Sequence, residues 1–143
     1  ELICTYNIDK NELRNIAQNN YLGYITKNDI QYWSNRNIDF GIHTVNHASF
    51  NTLSKKEMFI EVSESKKTIE NILEKTVSVF AYPYGQEGDF NETSKSVLKS
   101  AGIDVGMIFN TSVNNPATDK YELYRIGIDP NINYKLAYHG FTT

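Results

Sequence analysis

The chain has 143 residues, which suits one domain with a core of its own. Its net charge is −3 with no basic stripe, which sets nucleic acid aside as a partner, and no apolar run is long enough to span a bilayer. The single cysteine, Cys4, excludes an internal disulfide and reads as a small core residue.

The chain opens on a strand, Leu2 to Tyr6, with no starting methionine before it. It reads as a piece of a longer protein, so the missing leader says nothing about compartment. Asp9 can cap a helix carrying Leu13, Ile16 and Ala17. Thr26-Lys27-Asn28-Asp29 has the form of a capping box, with Ile30, Trp33 and Ser34 on one face of a short helix. Ile38, Phe40 and Ile42 then alternate with Asp39 and Gly41, as in a buried strand. That strand ends in His43-Thr44-Val45-Asn46-His47, which holds two of the three histidines.

Ser54-Lys55-Lys56-Glu57 is a second capping box. It opens the longest helix, which is expected to reach about Lys75. Met58, Val62, Ser65, Ile69, Ile72 and Leu73 form its apolar stripe, and its charges are assigned to a solvated face. Val77 to Ala81 is the next strand, cut off by Tyr82-Pro83-Tyr84-Gly85. Asn91 caps a helix through Val97 and Leu98, closed by Gly102. Ile103 to Phe109 and Leu123 to Ile128, the latter carrying Arg125, are strands separated by a polar loop. Asp129-Pro130 opens a final helix. Strands alternating with helices argue a parallel sheet covered by helices.

In such a sheet, ligands collect at the carboxyl ends of the strands. Two histidines there can converge on a metal, and imidazole nitrogen suits zinc. A catalytic zinc site takes three protein ligands, so a third is owed. The alternative is a pair of surface or capping histidines. In the second loop, proline fixes one backbone angle and glycine permits an unusual one. A turn of this kind can present a backbone N–H and an aromatic ring to a substrate. Tyr82 and Tyr84 could stack on a sugar or simply pack, and Tyr84 is the one the turn would expose. Arg125 either steadies the site through an ion pair or covers the sheet end.

Taken together, these stretches resemble the polysaccharide deacetylase family, the carbohydrate esterases of family 4 that share the nodulation-factor deacetylase homology domain. The matching pieces are Gly41 to His47, Leu53-Ser54, Ser65 to Glu70, Phe80 to Gly85, Ala101-Gly102 and Arg125-Ile126. The resemblance implies an α/β fold, a distorted (β/α)7 barrel lacking its first strand, with residues 1–143 as a single, amino-terminally incomplete domain. It implies a zinc-dependent hydrolase that removes N-acetyl groups from a cell-surface glycan of the N-acetylglucosamine type. His43 and His47 match the two metal histidines, and Thr44 a position that supports their loop. Tyr84 matches the residue whose N–H faces the developing oxyanion. Tyr82, Pro83, Tyr84 and Arg125 are the candidate substrate-binding residues.

The departures are as specific as the matches. The family's Asp-Asp run, which supplies the metal aspartate and the base, does not occur and is expected in a segment before Leu2. Ala81 stands where many members carry an arginine. The late Leu-x-His, which supplies the acid, is replaced by Leu136-Ala137-Tyr138-His139. His139 is therefore a candidate acid at the wrong spacing, or a surface histidine near a helix end. By itself the chain offers two ligands where three are needed, so it is expected to be inactive alone. Two further readings stay open: a degenerate, non-catalytic carbohydrate-binding member, and an O-acetyl esterase of the xylan type.

Overall fold

A computed structural model describes residues 25–110 and 112–125 of the chain. The expected strand at Leu2, the helix after Asp9, the strand end after Arg125, the final helix and His139 lie outside the described residues. So does closure of a barrel.

Helix α1 (Lys27–Ser34) begins where the Thr26 hydroxyl accepts the Asp29 N–H and the Asp29 carboxylate accepts the Thr26 N–H in return. Helix α2 (Lys55–Leu73) opens with the same reciprocal pair between Ser54 and Glu57. Each box satisfies two donors that a helix start otherwise leaves bare. Glu74, in left-handed conformation at φ 54°, ends α2 a little before Lys75. Met58, Val62 and Ser65 are buried along its stripe, with Ile69 and Leu73 packed against the core.

Strand β1 (Val79–Ala81) follows, then helix α3 (Glu92–Ser100), capped by Asn91 as its sequence predicts. Gly102, at φ 72°, turns the chain off α3 towards strand β2 (Val105–Phe109). Strand β3 (Leu123–Arg125) completes a parallel sheet of order β1-β2-β3. Ala81 lies beside Met107 and Met107 beside Leu123, while Phe109 lies beside Arg125. Facing the helices, Phe80, Tyr82 and Ile108 meet Met58 and Val62 of α2 and Val97 and Leu98 of α3 in one core. Phe50, from a 3-10 turn over Phe50–Thr52, closes it with ring centroids 5.3 Å from Phe80 and 5.7 Å from Tyr82. Lys95 ties α3 to the segment before β3 through Asp119 at 2.9 Å and Glu122, and pairs with Glu92 of its own helix at 2.8 Å.

One expected strand is corrected. Ile38 to Ile42 is not a full strand: only Ile42 joins the sheet, donating to the Val79 carbonyl and accepting from Ala81, both at 2.9 Å. Ile38 is 48% exposed, and its N–H turns back to the Trp33 carbonyl at the end of α1. The turn off the helix consumes the residues that alternation assigns to the ladder. Gly41 suits the single point of contact, because a Cβ there would lie 2.9 Å from the Val79 carbonyl.

Candidate active site

Two loops meet at the carboxyl end of β1. The first, His43 to His47, leaves the Ile42 bridge directly. His43 Nδ1 lies 2.6 Å from the Ala81 carbonyl. A carbonyl can only accept, so Nδ1 carries the proton and the Nε2 lone pair is left for a ligand. Burial pushes the His43 pKa down, the Ala81 hydrogen bond opposes it, and the nearby charges of His47 and Arg125 add to the lowering. The neutral, ligating form of the imidazole is thereby favoured. His47 stands edge-on to His43 with ring centroids 4.8 Å apart, and its own N–H is held by the Thr44 hydroxyl at 3.0 Å.

This loop is shaped against local preference. Thr44 at φ 67° and His47 at φ 55° are both left-handed, at a cost of roughly 1–2 kcal/mol each for residues with a Cβ. What holds it is a carboxylate from α2. Glu61 Oε2 accepts the N–H of Val45 at 2.8 Å and of Asn46 at 2.9 Å, and Oε1 accepts the Asn46 amide at 2.5 Å. Burial alone would raise the Glu61 pKa, but these donors outweigh it and the net shift is downward. Glu61 is 9% exposed, on the stripe that the sequence pattern reserves for apolar residues. Sequence reasoning misses it by placing every charge of this helix in solvent. The available signal is spacing: Glu61 lies three residues after Met58 and four before Ser65, so it shares their face.

The second loop, Tyr82 to Gly85, is pinned to β2. Tyr82 donates to the Met107 carbonyl at 3.0 Å, and Phe109 donates to the Gly85 carbonyl at 2.8 Å. Tyr84 is left-handed at φ 59° and 58% exposed, and its ring centroid lies 5.0 Å from that of His47. No acceptor among the described residues takes its N–H. The geometry leaves that donor available beside the histidine pair.

Two assignments to substrate contact are corrected. Tyr82 is 0% exposed and Pro83 is equally enclosed, so neither can meet a sugar. In a strand alternate residues share a face, which turns Tyr82 with Phe80 into the helix-covered core. There its ring stacks on Phe90 at 4.9 Å. Arg125 crosses the strand end to donate from Nη2 to the Tyr82 carbonyl at 2.7 Å, and no carboxylate among the described residues pairs with it.

The donor set fits a zinc ion in part. His43 has a free, oriented nitrogen and His47 a ring at its side, but no third His, Cys, Asp or Glu joins them among the described residues. A zinc ion held here would need a third ligand from outside the described residues.

The model of the family described as polysaccharide deacetylase matches residues 4–106. A putative polysaccharide deacetylase of Bacillus subtilis, YxkH, is 21% identical over 110 residues, 77% of this chain and 38% of its own length. Among solved structures, the Streptococcus pyogenes deacetylase PplD superposes with a TM-score of 0.75 at 23% identity, over 82% of this chain and 51% of that one. A de-N-acetylase from Aggregatibacter actinomycetemcomitans gives 0.67 at 18% identity, over 97% and 58%. These likenesses show a shared fold, and the chain spans well under two thirds of each relative. With its family model matched over most of its length, its parallel α/β architecture and its paired histidine and tyrosine loops, the chain belongs to the polysaccharide deacetylase family.

Proposed function

We propose that this chain is the larger part of the catalytic domain of a zinc-dependent polysaccharide N-deacetylase, which hydrolyses the acetamide of an N-acetylglucosamine-type glycan to acetate and free amine. The observation that carries the reading is the oriented pair: Nδ1 of His43 is committed to Ala81, leaving Nε2 beside His47 and the exposed Tyr84. His43 and His47 would hold zinc, with a third ligand from outside the described residues. When bound, zinc polarises the acetyl carbonyl and makes a bound water more acidic. The Tyr84 N–H is in place to donate to the carbonyl oxygen as negative charge develops there. The exposed ring beside it offers an apolar face to the sugar. The Ala81 and Tyr82 carbonyls keep His43 and the turn in fixed relation. The N-acetyl specificity draws support from the relative whose structure is that of a de-N-acetylase.

A non-catalytic, glycan-binding reading has one observation in its favour, the lack of a carboxylate beside the histidines among the described residues. Acetate release from acetylated chito-oligosaccharide by the zinc-loaded, full-length protein decides between them. Deacetylation is expected, with both bound zinc and activity lost in His43→Ala. Glycan binding without acetate release would leave the binding reading standing.

A further inference from the structure

We infer that Ser49 and Asp89 are positioning residues, their hydrogen bond acting as a strap that sets the spacing between the histidine pair and the Tyr84 N–H. The inference rests on the deacetylase reading and deepens it. Ser49 lies two residues after His47, and Asp89 five after Tyr84. The Ser49 hydroxyl donates to Asp89 Oδ1 at 2.7 Å. Among the described residues this is the one hydrogen bond that runs directly between residues 43–51 and residues 82–90. The Asn51 side chain also lies 2.9 Å from the Ser49 hydroxyl. A hydroxyl has a single proton to give, and a carboxylate is the stronger acceptor, so the proton goes to Asp89.

Both feet of the strap are rooted. Phe50 follows Ser49 and Phe90 follows Asp89, and their rings pack on Tyr82 with centroids 5.7 Å and 4.9 Å away. The Asp89 carboxylate also shapes its own loop. Its Oδ2 accepts the Gln86 N–H at 3.0 Å, and the Asp89 N–H returns to the Gln86 carbonyl at 3.0 Å. Gly88, at φ 93°, supplies the left-handed position that such a turn requires. What these roots leave unsupported is the exposed stretch between them, Tyr84, whose ring centroid lies 5.0 Å from that of His47. Glu61 fixes the histidine loop to α2, and the sheet fixes the tyrosine turn to β2. The strap joins one fixed loop to the other. A donor aimed at developing charge acts only at the right distance, so the spacing has a direct effect on rate.

A double-mutant cycle in the full-length, zinc-loaded protein tests this, with Ser49→Ala, Asp89→Ala and the pair. The readouts are kcat and KM on acetylated chito-oligosaccharide and zinc affinity, with thermal unfolding as the check on folding. Each single variant is expected to lose about tenfold in kcat, with KM and zinc affinity little changed. The double variant should lose no more than either single one, because one contact is removed in all three. Unchanged kcat, or losses that multiply, overturns the inference. A zinc affinity that falls in step with kcat overturns it too, since Ser49 would then support the ligands and not the spacing. Should Asp89→Ala fail to fold, Ser49→Ala alone decides in the same way. The proton signals of the His47 ring give a readout free of turnover, because the Tyr84 ring beside it shifts them. In Ser49→Ala they are expected to move towards their position in Tyr84→Leu, and signals that stay in place overturn the inference. Absence of acetate release from the unmodified protein sinks the deacetylase reading instead, and the His47 signals then judge the strap by themselves.

Discussion

Glu61 holds Asn46 at both ends, Oε2 accepting its backbone N–H at 2.9 Å and Oε1 its side-chain amide at 2.5 Å. A helix carboxylate thus fixes the loop between the two candidate ligands without touching either. Glu61→Ala would leave the Val45 and Asn46 donors without their acceptor and release two left-handed residues. The expected cost is about 2 kcal/mol of unfolding free energy in urea and a zinc affinity lowered about 10–100-fold. A variant with wild-type zinc binding would show that the loop holds its shape unaided.

The same carboxylate predicts a pH dependence of stability. Its pKa is lowered on folding, so the unfolded chain takes up the proton first as the medium is acidified. The stabilisation is complete above the ordinary carboxylate range and fades as pH falls through the folded value. Urea midpoints of wild type and Glu61→Gln should therefore converge on acidification from neutral pH. A gap that stays constant down to the acid end would count against the charged form as the source.

Tyr82→Phe separates core from substrate contact. The Tyr82 hydroxyl is buried without a partner among the described residues, and burial raises its pKa. Removing an unsatisfied hydroxyl of the same shape should be neutral or stabilising by up to about 1 kcal/mol. KM for the glycan should not move. A marked rise in KM would restore Tyr82 to the binding surface.

Gly85→Ala tests the turn. Gly85 sits at φ 70°, and a Cβ there would lie 2.9 Å from the Phe109 amide nitrogen and 3.2 Å from the Tyr82 carbonyl. Strain in the backbone and overlap with backbone atoms act together, so a loss of about 2 kcal/mol or more is expected in thermal or urea unfolding. Activity should fall with it, since the Tyr84 N–H is aimed by this turn. A stable, fully active variant would mean that the turn can relax without consequence.

Local chemistry was the legible part of this fold. Thr26, Ser54 and Asn91 cap their helices as their spacing predicts, because a cap depends on residues three apart. The tyrosine loop also stands at a strand's carboxyl end, as the apolar run broken by Pro implies, and the histidine loop meets it there from the single bridge at Ile42. What failed depended on distant partners. Ile38 alternates correctly with Phe40 and Ile42, yet its N–H is taken by a helix carbonyl before any ladder begins. Tyr82 and Tyr84 look alike in a turn, and only the face that meets the helices makes one core and the other surface. Glu61 is a single charge on an apolar stripe, and its meaning rests on a loop some fifteen residues upstream that lends it three donors.

The end of β1 has a consequence for how this site can change. Its Ala81 carbonyl receives His43 and its Tyr82 carbonyl receives Arg125, while its Phe80 and Tyr82 rings fill the core. A slip of β1 by one residue would invert its side chains and displace both anchoring carbonyls at once. Foldability and chemistry are therefore inherited together at this strand. On the proposed reading, variation in the glycan accepted would have more room at the exposed Tyr84 ring, which takes no part in the core behind β1.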